Sequence, residues 1–210
     1  MKVAIIGKGN VGTALAPRIH NAAGHSAVYG VRDPSDPKYD NGDGVRLATV
    51  ADAAREADAL ILAVHWDAVD AVLAECGPIG GKILVDCTNA LDFANQLAWL
   101  IPHDTSGAEI VAGKTDARVV KAFNQVGADA MARAGDYAVR PLQFAAADNE
   151  DAKKAVLGLM ADIGFDARDA GPLSAARDLE SMARLWIAQA FSGMPGETAW
   201  ALIAPGHEGR

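Results

Sequence analysis

Residues 2–12 restrict the fold of this chain more than any other segment. Lys2-Val3-Ala4-Ile5-Ile6 is a short apolar run, and Gly7-Lys8-Gly9-Asn10-Val11-Gly12 follows it directly. Val11, Leu15, Ile19 and Ala22 then recur on one helical face that stops at Gly24. Strand, glycine turn and amphipathic helix in that order open a βαβ unit. The first glycine permits the tight turn, the second lets a pyrophosphate reach the backbone, and the third lets helix and strand pack closely. The helix N-terminus attracts the phosphate charge. The segment points to dinucleotide binding through Gly7, Gly9, Asn10, Val11 and Gly12.

The rest of the chain continues the alternation. Strand-like runs lie at 3–6, 27–31, 46–48, 59–64, 82–86, 118–123, 143–147 and 165–169. Helical periodicity lies at 10–23, 52–57, 67–75, 93–100, from Glu150 to Gly164, and at 174–191, with Pro102 halting the fourth of these. Two turn-rich stretches, 33–44 and 102–115, read as loops, the first as a mobile one. No internal repeat or linker divides the chain. The expected fold class is α/β, a Rossmann-type doubly wound, mostly parallel sheet with a C-terminal helical extension. The expected organisation is a single compact NAD(P)-binding domain, 1–210.

Composition narrows the partners. A net charge of -8 and no run of lysines and arginines argue against nucleic acid or an anionic membrane as partner. No apolar run reaches the ~18 residues of a membrane span, and no basic leader precedes the first strand, so the expected location is cytoplasmic. Cys76 and Cys87 lie outside any C-x-x-C pattern and read as reduced packing residues. The five histidines show no metal-binding spacing, so no metal is expected. His103, Asp104 and Ser106 crowd into one loop without a nucleophile elbow and read as surface.

The second strand ends in Tyr29-Gly30-Val31-Arg32-Asp33. An NAD-binding chain would place an acidic residue near Val31 to hold the ribose hydroxyls. Here the next side chain is a guanidinium suited to a 2′-phosphate, which favours NADP(H); Asp33 as a displaced ribose ligand stays open. The strand ends at Ala63-Val64-His65 and at Thr88-Asn89 face the ribose and nicotinamide in a doubly wound sheet.

These motifs, with Lys121-Ala122-Phe123-Asn124 and Asp169-Ala170-Gly171-Pro172-Leu173 further on, resemble the coenzyme F420-dependent NADP oxidoreductases over nearly the whole chain. The resemblance implies phosphate binding near Gly9 to Gly12, 2′-phosphate binding by Arg32, and nicotinamide contacts from Ala63, Val64 and Asn89. It implies a deazaflavin acceptor near Asn124 and the Gly171-Pro172-Leu173 turn, with 1–148 as the dinucleotide-binding core and 149–210 completing the acceptor pocket. The chain departs from the family pattern at Val31, His65 and Ala90, where the family often has Ser or Thr, proline, and proline.

The implied reaction is direct hydride transfer between NADP(H) and a small-molecule acceptor of the deazaflavin type, coenzyme F420. The alternatives are reduction of a flavin, quinone, carbonyl or imine, in which His65 gains a role as proton donor, or a non-catalytic NADP(H) sensor. Lys121, Arg140 and Arg177 are candidates to hold the acceptor's acidic tail. Met182, Trp186 and Ile187, with Trp200 in an apolar tail, suggest a homodimer.

Overall fold

Val3 and Ile5 of the first strand face one apolar core, and Ala4 and Ile6 face another; all four are buried. A strand covered on both faces belongs to the middle of an α/β sheet. The computed structural model describes residues 1–39 and 42–205, so residues 40 and 41 of the expected 33–44 loop, and 206–210 of the expected domain, lie outside the described residues.

The elements in chain order are β1 (Lys2–Ile6), α1 (Asn10–Asn21), β2 (Ser26–Val31), β3 (Arg46–Thr49), α2 (Val50–Glu56), β4 (Ala59–Leu62), α3 (Val69–Cys76), β5 (Ile83–Asp86), β6 (Leu91–Asp92), β7 (Ala98–Trp99), α4 (Gly107–Ala112), β8 (Arg118–Lys121), α5 (Ala128–Ala132), β9 (Leu142–Ala146), α6 (Glu150–Asp162), β10 (Asp166–Gly171) and α7 (Ala176–Phe191). Eight of the strands form one sheet in the order β10-β9-β8-β5-β4-β1-β2-β3. Its pairings are parallel except for a single antiparallel bridge between Lys121 of β8 and Ala146 of β9. The strand order reverses between β1 and β4, and the crevice of a doubly wound sheet opens at that point. Helices α1, α5 and α6 cover one face, and α2, α3 and α4 the other. Among the described residues no helix is long and apolar enough to cross a membrane.

The expected helix over 93–100 is instead the β6/β7 hairpin, with Leu91 opposite Trp99. Phe93, Leu97 and Leu100 follow a helical spacing, but Asp92 Oδ1 accepts the backbone N–H groups of Ala94 and Asn95 and bends the chain into a turn. Gln96 and Leu97 then take left-handed φ of 50° and 58°, which a helix does not allow. The expected 102–115 loop contains α4. Ser106 caps it by accepting from Glu109 N, while its hydroxyl donates to the Glu109 carboxylate at 2.8 Å. The spacing is that of an S-x-x-E capping box, with the Glu109 carboxylate meeting the Ser106 hydroxyl.

The tail beyond α7 returns to the sheet. Trp186 Nε1 donates to Thr198 O at 2.9 Å, Trp200 Nε1 donates to Gln125 O at 3.0 Å, and Leu142 N donates to Trp200 O. The tryptophans expected on a dimer face are therefore engaged within the chain, while Leu185 and Phe191 of α7 are exposed.

Asp86 at the end of β5, Lys121 at the end of β8 and Glu180 on α7 meet in the interior with essentially no exposure. Lys121 Nζ lies 2.9 Å from Asp86 Oδ2 and 2.8 Å from Glu180 Oε1. Burial works to lower the Lys121 pKa, but the two carboxylates outweigh it and hold the ammonium above its ordinary value. Lys121→Met leaves two carboxylates buried without their counter-charge, a change that typically costs about 3–5 kcal/mol. Urea unfolding is expected to show a loss of that size; a change below about 1 kcal/mol would mean that water reaches the triad.

Candidate cofactor cleft

The three fingerprint glycines serve different purposes. Gly7 has φ of +102°, and a Cβ placed on it would sit 2.5 Å from the Ala63 carbonyl oxygen. A Cβ on Gly12 would meet the Gly7 carbonyl oxygen at 2.2 Å, so Gly12 lets α1 lie against the turn. A Cβ on Gly9 meets nothing within 4 Å. It faces open space at the N-terminus of α1, where the helix dipole favours an anion. That opening fits a pyrophosphate approaching the backbone.

Lys8, between the first two glycines, turns inward. Its Nζ lies 3.0 Å from Asp43 Oδ2 and 3.8 Å from the centre of the Tyr29 ring. Tyr29 donates its hydroxyl proton to the same Asp43 oxygen at 2.7 Å. These contacts fasten the end of the loop after β2 to the glycine turn. Its beginning carries Arg32, which is exposed and has no hydrogen bond or ion pair among the described residues. Asp33 is occupied by its own turn, because Oδ1 accepts from the Ser35 backbone N–H and hydroxyl and these hold its carboxyl below the usual range. Of the two side chains, Arg32 is the one free to meet a ligand at the end of β2.

A cleft of about 500 Å³ opens at the ends of β1, β4 and β5. It gathers Gly9, Asn10, Val11, Ala63, Val64, His65, Thr88 and Asn89, which the sequence had pointed to. The hairpin adds Leu91, Phe93 and Leu100, the last two from the segment expected to be a helix; the Asx turn at Asp92 was the available signal. His65 is exposed at the start of a short 3₁₀ turn, and its ring has no hydrogen-bond partner among the described residues. Burial and the neighbouring Asp86 push the Cys87 thiol far above its ordinary pKa, so it is no nucleophile.

Beneath the cleft the polar groups are bonded to one another. Asn124 Nδ2 donates to Asn89 Oδ1 at 3.0 Å and to Leu179 O at 3.2 Å. Gln125 completes the array, donating to Asn124 Oδ1 and exchanging two bonds with the Phe144 backbone. It stands where a β8–β9 ladder would otherwise run. Phe123, fully buried against Phe165, has φ of 60°, a strained conformation for an aromatic residue that turns Asn124 towards Asn89.

The Gly171-Pro172-Leu173 turn is held separately. Lys153 Nζ donates to Gly171 O, Asp169 Oδ1 accepts from Gly171 N, and Asp148 Oδ1 accepts from Leu173 N. None of the three residues lines the cleft, and Leu173 is core. The cations expected to gather around an acidic tail do not converge: Lys121 is sealed in the triad, Arg177 forks onto Glu109, and Arg140 lines a groove beside α6 and β10. Among the described residues no cluster of three or more His, Cys, Asp or Glu is arranged to hold a metal ion.

Residues 2–90 match the family model described as NADP oxidoreductase, coenzyme F420-dependent. The crystal structure of a candidate F420-dependent NADP reductase from Arthrobacter sp. FB24 superposes with a TM-score of 0.86 at 26% identity, covering 97% of this chain and 100% of that one. Over residues 2–90 in sequence, and over nearly its whole length in fold, this chain resembles the F420-dependent NADP oxidoreductases. A hypothetical protein of Sinorhizobium meliloti is 32% identical with a TM-score of 0.75, over 84% of this chain and 87% of that one. The metalloreductase STEAP3 of Rattus norvegicus is 31% identical over 185 residues, 86% of this chain. The chain spans about a third of the length of the curated metalloreductases it matches. The likeness supports the fold of an NADP oxidoreductase.

The glycine geometry separates two outcomes. Gly9→Val is expected to leave the melting temperature nearly unchanged and to abolish NADPH binding, while Gly12→Val is expected to lower the melting temperature sharply. Calorimetric titration with NADPH and a thermal melt of each variant check both. Wild-type affinity in Gly9→Val would remove the turn from the cofactor site.

Proposed function

We propose that the protein catalyses hydride transfer from NADPH to a deazaflavin-type acceptor, coenzyme F420. The observation that carries this reading is a cleft built for position rather than for proton transfer. The glycine turn, Ala63–Val64 and Thr88–Asn89 border one cleft, with Asn89 held from beneath by Asn124, while His65 has no partner among the described residues to orient it. Hydride transfer between two cofactor-like molecules needs alignment and exclusion of water more than an acid or base.

In this reading the backbone from Gly9 to Gly12 holds the pyrophosphate and Arg32 holds the 2′-phosphate. Ala63, Val64, His65 and Asn89 border the ribose and nicotinamide. When bound, NADPH supplies the hydride. The acceptor lies towards Asn124, and a second cavity of about 590 Å³, bordered by Gly127, Trp186 and Gly196, adjoins the cleft at Asn10. Residues 149–210 then complete the acceptor side. The 31% identity to a metalloreductase favours a second reading, in which the same cleft serves a different redox acceptor such as a flavin.

Stopped-flow NADPH oxidation with coenzyme F420, flavin mononucleotide and a quinone in parallel distinguishes the readings. Turnover with F420 is expected; turnover with another acceptor and none with F420 would establish the second reading. Arg32→Ala is expected to weaken NADPH by about ten- to a hundredfold, the effect of losing a charge-assisted contact of about 1.5–3 kcal/mol, and to spare NADH. Equal weakening of both would remove Arg32 from the 2′-phosphate site.

A further inference from the structure

The cluster behind the cleft wall carries charges that do not cancel. Asp86 Oδ1 accepts from the Thr88 backbone N–H at 2.9 Å and from its hydroxyl at 2.7 Å, and Oδ2 accepts from Lys121. Glu180 accepts from the Gly107 and Ala108 backbone N–H groups at 3.0 and 3.3 Å and pairs with Lys121. Each carboxylate thus meets only donors, the environment of an anion, because a protonated oxygen would place its hydrogen against another. Lys121 has three acceptors, Asp86, Glu180 and the Thr88 carbonyl, which match the three protons of an ammonium.

Two anions and one cation sum to one negative charge in a site closed to bulk solvent. The first N–H groups of α4 disperse part of it, a partial charge of about half a unit at most. Asp67, Asp92 and His65 also border the cleft but are at least partly open to water, which screens them. The buried charge stands directly behind Thr88, whose backbone N–H, hydroxyl and carbonyl are all bonded to it, and Thr88 lines the cleft.

We infer that this buried negative charge biases the cleft towards the oxidised cofactor and so shifts the balance between the bound cofactor forms towards NADP⁺. Loss of a hydride leaves the nicotinamide ring with a positive charge. The hydride carries two electrons and one proton to the acceptor, which takes a second proton from water. Fixed negative charge behind Thr88 and Asn89 stabilises the oxidised ring relative to the neutral reduced one, which favours hydride loss from the bound NADPH. Asp86 and Glu180 are then electrostatic residues that act through Thr88 rather than by touching the cofactor. This inference rests on the reading that the cleft seats the nicotinamide.

The test measures dissociation constants for NADP⁺ and NADPH separately, by calorimetry and NADPH fluorescence, in the wild type, Asp86→Asn, Glu180→Gln and the charge-preserving Glu180→Asp. Packing damage weakens both cofactor forms together, whereas loss of charge weakens mainly the oxidised one. The expected result is a rise of about threefold or more in the ratio Kd(NADP⁺)/Kd(NADPH) for the neutralised variants, with Glu180→Asp close to wild type. Asp86→Asn and Glu180→Gln probe the charge independently, so either folded variant decides the question. An unchanged ratio would overturn the inference and leave the cofactor assignment standing. Failure of the wild type to bind either form would overturn the nicotinamide reading and this inference with it.

Discussion

Asp86, Lys121 and Glu180 hold together parts of the chain that the sheet alone does not join. The triad links the ends of β5 and β8, reaches α7 through Glu180, and takes in the first turn of α4 through the Gly107 and Ala108 N–H groups. Buried charges are tolerated only when every donor and acceptor is matched, so the geometry leaves these elements little freedom. Gly107 shows how tight the arrangement is: a Cβ there would sit 3.0 Å from the Trp66 ring and 3.2 Å from Glu180 Oε1. Trp66 in turn lines the cleft beside His65. Constraints that begin in the interior therefore reach the surface where a cofactor would lie.

The site divides its work between two kinds of structure. At the phosphate end the chain contributes backbone and empty space, with Gly9 facing outward and the helix N-terminus behind it. At the ring end it contributes side chains whose polar atoms are already bonded to one another, through Asn89, Asn124 and Gln125. Such an array moves little when a ligand arrives, which suits a reaction governed by alignment. The hairpin supplies the apolar wall. Phe93 and Leu100 line the cleft, and Phe93 packs its ring edge-on against exposed Phe191 of α7.

Elements buried on both faces were the most legible in the sequence. The eight strands of the main sheet lie where strand-like runs stand, most plainly β1, β4 and β5, whose near-continuous burial leaves few polar residues to blur the pattern, whereas β10 is polar and partly exposed. The residues bordering the cleft were readable for a related reason: strand ends around the reversal point of a doubly wound sheet must face its crevice. The 93–100 segment was misread because its apolar spacing suits a helix, and only the Asp92 turn and two left-handed residues show otherwise. Helix α4 was hidden in a polar stretch although its Ser106–Glu109 capping box was present. Lys121 was expected to hold an acceptor's acidic tail, because its burial depends on carboxylates 35 residues before it and 59 after it, and no local pattern reveals them.

The central claim is that the crevice between β1 and β4 seats the nicotinamide against the Thr88–Asn89 wall. A crystal structure of the complex with NADP⁺ tests it most directly. The expected result is a pyrophosphate at the backbone of Gly9 to Gly12 and a nicotinamide ring inside the cleft of about 500 Å³, in contact with Thr88 or Asn89. A ring bound elsewhere, with that cleft filled only by water, would contradict it.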